Sequence, residues 1–139
     1  MIESDQSILF GYRAEQAETT LAEAEKMLDQ DFSARSIVNR AYYAMFYMTL
    51  ALFLKTGVRA RSSKHSGILA IFDREFVNAG KIDRVYSQMI HQAFDRRIDF
   101  DYKEGIKVRP EDAPNAVHNA REFIAAIRRF LDESHDAGA

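Results

Sequence analysis

Along the chain, stretches in which apolar residues return every three or four positions are separated by short polar breaks, the pattern of helices that each bury one face. From Ser7 to Gln30, Leu21, Ala24 and Leu28 recur at helical spacing with glutamates between them, which predicts an amphipathic first helix. Asp31 or Ser33 offers a side-chain oxygen to cap a second helix, which ends near Gly57, a residue free to take the left-handed turn that closes a helix. A third helix is expected from Ser63 to Asn78, a fourth from Ile82 to about Asp99, and a fifth from Pro110 or Glu111 to Ser134. No run of alternating β-branched residues suggests a strand, and both prolines fall in "VRPEDAP". The expectation is one all-α domain over residues 1–139, a bundle of four or five helices in which short connections make neighbours antiparallel.

The second helix departs from the amphipathic pattern. From Ala41 to Leu54 only Thr49 is neither apolar nor aromatic. A membrane span needs about 20 such residues, so this shorter run predicts a buried central helix instead. The cover is supplied either by the bundle or by a second copy of the chain lying against the open side. Tyr42, Tyr43 and Tyr47 each carry a hydroxyl that needs a partner when buried. Arg40 and Tyr43 stand one turn apart on one face.

Composition narrows the chemistry. The 139 residues include no cysteine, which excludes disulfides, thiolate nucleophiles and cysteine-based zinc sites and permits a reducing cytoplasm, the expected location. The acidic opening "MIESDQSILFGYRAEQ" has no long apolar core, which argues against a targeting peptide. The net charge is only −2, but its distribution is polar. Residues 1–32 carry eight acids against Arg13 and Lys26, whereas residues 33–72 carry Arg35, Arg40, Lys55, Arg59, Arg61 and Lys64 and no acid. Such a segment either attracts an anionic partner, RNA or a nucleotide, or pairs with the acidic first helix within the fold or across a dimer.

Two short stretches hold candidate chemistry. "RRIDFDY", residues 96–102, sets Arg97 and Asp101 at i, i+4, on one face if the helix continues, with Tyr102 beside them. It is open to two readings: a phosphate-binding site, or a helix end at which Arg96 and Arg97 meet the negative pole of the macrodipole and Asp101 forms an internal salt bridge. In "SSKHSG", Ser62 or Ser63 is placed to cap a helix, and Lys64 and His65 lie at its N-terminus, where exposed backbone N–H groups attract anions. His65 is therefore either a capping or surface histidine or, if the fold brings it near Arg97, an acid/base. His91, His118 and His135 are each isolated, and no acid/histidine cluster has metal-ligand spacing, so neither metal nor cofactor is expected. Walker, G-x-G-x-x-G and G-x-S-x-G motifs are absent.

Taken in order, "SARSIVNRAYYAMFYMTLALFLKTG", "SSKHSGILAIFDREFVNAGKI" and "RRIDFDY" resemble the HEPN domain, in its small stand-alone branch, over roughly residues 7–131. The resemblance implies an antiparallel up-and-down four-helix bundle with an additional short helix, a homodimer, and pairing with a minimal nucleotidyltransferase in a toxin–antitoxin-like system. It also implies two functions. Many HEPN proteins resemble metal-independent RNases in which arginine clamps the scissile phosphate and a histidine a few residues on moves a proton. Here Arg97 is followed by Ile98, and Asp101 stands where histidine is expected, a group that accepts a proton but is a poor acid near neutral pH. In partnered HEPN proteins a tyrosine in the place of Tyr102 resembles an acceptor of nucleotide transfer. Two classes of function follow. One is a dimeric nucleotide- or RNA-binding regulator using Arg97, Tyr102, Arg40, Tyr43 and Lys64; the other is an endoribonuclease using Arg97 with Asp101 or His65.

Overall fold

The computed structural model of the chain describes residues 4–102 and 105–137, the last three by backbone alone, so the ends of the 1–139 domain and the side chain of His135 lie outside the described residues. Five α-helices run in order: α1 Asp5–Asp29, α2 Ala34–Thr56, α3 His65–Phe72, α4 Arg84–Tyr102 and α5 Asp112–Ala137. The four long helices form the bundle and α3 is the additional element.

Local chemistry sets the boundaries. The Ser4 hydroxyl accepts the Ser7 N–H at the start of α1, and the Ser33 hydroxyl accepts that of Ser36 at the start of α2. Ser33, not Asp31, is thus the cap of α2, while Asp31 takes a left-handed φ of 56° in the turn before it. Gly57 closes α2 at φ 76°. The expected third helix is α3 continued by a π turn over Asp73–Val77, in which the Asn78 N–H reaches the Asp73 carbonyl at 2.7 Å. The Asp73 carboxylate accepts the Ser87 hydroxyl at 2.6 Å and the His91 Nε2–H at 2.7 Å, tying this turn to α4.

Packing explains the composition of α2, which lies against α1, α4 and α5. Tyr42, Met45 and Leu52 of α2 are completely buried and share one core with Phe72, Phe76 and Phe123. Thr49, the polar residue in the run, gives its hydroxyl to the Met45 carbonyl one turn back at 2.9 Å. α2 is long and apolar enough to cross a membrane, but 67% of that stretch is buried inside the bundle, as expected of a core helix. The chain's own helices therefore supply most of the cover that its apolarity demands. The half-buried residues of α2 include a stripe at helical spacing, Arg40, Tyr43, Tyr47, Leu50 and Leu54.

Among the described residues no ion pair joins the two oppositely charged segments, although Arg40 shares a groove with Glu15 and Glu23. The acids of α1 pair instead with α5, Glu18 with Arg128 at 2.6 Å and Glu25 with Arg121 at 3.2 Å. Among the described residues, none of Arg35, Arg40, Lys55, Arg59, Arg61 and Lys64 is in an ion pair.

Candidate functional site

The hub of the site is the Tyr42 ring, which the turns of α2 place at the bundle core facing α4 and the start of α3. The Arg97 guanidinium lies 5.0 Å from its centroid and 5.5 and 5.7 Å from the Tyr43 and Phe94 rings. Aromatic faces carry partial negative charge and attract a guanidinium, so three rings hold Arg97 in place without neutralising it. One guanidinium N–H reaches the Tyr43 hydroxyl at 3.5 Å, at the outer edge of hydrogen-bonding distance. The buried Nε of Arg97 has no hydrogen-bond partner, and no carboxylate among the described residues forms an ion pair with Arg97. A guanidinium with unspent donors is equipped to meet an anion.

His65 completes the cluster. It opens α3 and stacks on Phe46, with centroids 4.0 Å apart and planes at 18°, while its Nδ1 lies 2.8 Å from the Tyr42 hydroxyl oxygen. Burial first, and then the charge of Arg97, lower its pKa from the ordinary 6.5. Burial likewise raises that of Tyr42 far above the usual phenol range, against an opposing pull from Arg97. The approach of His65 depends on glycine. A Cβ at Gly67 would lie 2.2 Å from the Ser62 Oγ, so only glycine lets the loop close over the first turn of α3. Neither serine caps α3 as expected; Lys64 is the N-cap residue without a side-chain bond, and the Ser62 hydroxyl accepts the Lys64 N–H at 3.2 Å.

The other candidates fall elsewhere. α4 continues through Tyr102, so Arg97 and Asp101 do share a helix, but no ion pair or hydrogen bond joins them among the described residues. Asp101 and Tyr102 are exposed at the end of α4, Tyr102 by 79%. Lys64 is exposed beside His65. Arg40 faces a different groove, lined with Tyr12, Glu15, Glu23 and Tyr47 of α1 and α2. Arg96 diverges from Arg97 and lines a cavity of about 320 Å³ between α2, α4 and α5 with Gln92, Asn115 and Asn119. It pairs with the Asp112 carboxylate at 3.8 Å. Sequence reading did not single out Tyr42 and Phe46 from the other core aromatics, because the choice depends on which residues oppose α2 from helices distant in sequence. Among the described residues no group of three or more His, Cys, Asp or Glu is placed to hold a metal ion.

Comparison with known proteins gives one consistent result. Residues 11–130 match the HEPN domain. A UPF0332 protein of Thermotoga maritima is 36% identical over 108 residues, covering 78% of this chain and 80% of the relative. Two candidate toxins of Methanocaldococcus jannaschii are 31% and 34% identical, covering 84% and 79% of this chain and 78% and 80% of their own lengths.

Proposed function

Because the chain belongs to the HEPN family, over a span that takes in all but the ends of its bundle, we propose that it is the HEPN component of a toxin–antitoxin-like pair and that it binds nucleotide or RNA phosphate at Arg97. The observation that carries this reading is Arg97 itself, held between three aromatic rings with a buried, unpartnered Nε and, among the described residues, no carboxylate in ion-pair contact. Tyr43 and His65 border it, and Arg59, Arg61 and Lys64 lie exposed in the loop that leads to His65, without ion-pair partners among the described residues. In this reading the pair's other member is a minimal nucleotidyltransferase, and Tyr102, exposed at the end of α4, is the residue offered to it for modification. A homodimer suits the half-buried stripe of α2 beside the exposed Ile8, Leu9 and Tyr12 of α1.

The second reading, a metal-independent endoribonuclease, needs a proton acceptor near Arg97. His65 is favoured over Asp101 for that role by its place in the cluster. One experiment addresses both readings: a labelled oligoribonucleotide is incubated in chelator with wild type and with Arg97→Ala, and both retention and cleavage are followed. Retention lost in the variant supports the binding site, and cleavage lost in the variant supports the nuclease. A folded Arg97→Ala protein that behaves as wild type in both respects contradicts the site.

A further inference from the structure

The contact between Tyr42 and His65 decides what His65 does. Tyr42 is completely buried, and among the described residues its hydroxyl has one hydrogen-bond partner, the His65 Nδ1 at 2.8 Å. A phenol has one O–H to give, and a buried donor left unmade costs about 1–3 kcal/mol. If the His65 Nδ1 carried a proton and gave it to the tyrosine oxygen, the tyrosine O–H would be left with nothing to bond. Only the reverse arrangement satisfies both groups: Tyr42 donates and the His65 Nδ1 accepts. A neutral imidazole has a single N–H, so its proton then sits on Nε2, across the ring. The environment keeps both groups in these states, since burial and Arg97 disfavour the imidazolium and burial disfavours the phenolate. The Phe46 stack at 4.0 Å holds the ring in the plane this requires.

We infer that Tyr42 is a positioning residue that locks His65 in its Nε2–H form, so that His65 gives a hydrogen bond to an oxyanion held beside Arg97 and does not take a proton from it. This rests on the phosphate-binding reading above and sharpens it. The site becomes a set of donors, the Arg97 guanidinium and the His65 Nε2–H, without a general base. Its ligand class is a phosphoryl or other oxyanion that is bound and left intact.

Ring nitrogens report the tautomer directly. In a two-bond proton–nitrogen NMR spectrum of the ¹⁵N-labelled full chain at neutral pH, with His65 assigned by its loss in His65→Gln, wild type is expected to show a protonated Nε2 and an unprotonated Nδ1. Tyr42→Phe, which removes only the hydroxyl, is expected to shift His65 towards a mixture of tautomers. A proton on Nδ1 in wild type overturns the inference, an arm that does not depend on Tyr42→Phe folding; an unchanged His65 pattern in folded Tyr42→Phe overturns the role of Tyr42. Inorganic pyrophosphate is the binding probe. His65→Gln, which keeps an N–H donor, should bind within about threefold of wild type, whereas His65→Leu should lose about tenfold, the weight of one hydrogen bond to a charged group. Equal binding by His65→Leu and wild type overturns the donor role. Arg97→Ala binding as well as wild type sinks the underlying site, a failure separate from the tautomer result.

Discussion

Arg97 lies among Tyr42, Tyr43 and Phe94, and the hydroxyl it reaches, that of Tyr43, is 54 positions away in the chain. The sequence drew attention to Arg97 through "RRIDFDY" but offered Asp101 and Tyr102 as its companions, since only near neighbours on a helix face can be paired by spacing. The companions the fold supplies are Phe94, three residues back on α4, and Tyr42, Tyr43 and His65, which only tertiary packing brings to it. His65 gives a prediction with a definite sign. Its folded pKa lies below the unfolded value of about 6.5, so the unfolded chain binds more protons on acidification. The stability it contributes is full above that value and is lost as pH falls through the lower folded pKa. Urea midpoints measured from pH 7.5 downward should therefore decline less steeply in His65→Gln than in wild type. Parallel declines would contradict the shift.

At the scale of elements, the helices were legible because their signals are local. Apolar period, a serine at the start of α2 and a glycine at its end fixed most boundaries within a few residues. The π turn was not legible, since the Asp73 carboxylate is held by Ser87 and His91, 14 and 18 residues on. His91 for the same reason read as isolated. The start of α3 is the most constrained join. Gly67→Ala forces its new methyl against Ser62, an overpacking that costs about 1–3 kcal/mol and displaces the turn carrying His65. Thermal unfolding should register the cost, and pyrophosphate affinity should fall with it. An alanine variant as stable and as tight-binding as wild type would show that the loop yields freely.

For the whole molecule, α2 is the hub on which α1, α4 and α5 pack, and the core it organises includes Phe123 of α5, which is completely buried. Phe123→Ala should cost about 3–5 kcal/mol, a large share of the stability of a domain this size, and denaturant titration with an unchanged slope would measure it. The half-buried stripe of α2 and the exposed Ile8, Leu9 and Tyr12 set a separate expectation for assembly. Light scattering at micromolar concentration should give twice the chain mass, and a monomer mass would remove the dimer. The proposed phosphate-binding site lies on the α2, α3 and α4 side, centred on Arg97. Its most direct measurement is a backbone-amide NMR map of the ¹⁵N-labelled chain titrated with a short oligoribonucleotide. The largest shifts are expected around Tyr42, Tyr43, Lys64, His65 and Arg97 and should weaken as salt rises. Shifts centred on Gln92, Arg96, Asn115 and Asn119 in the cavity between α4 and α5, or no shifts at all, would contradict it.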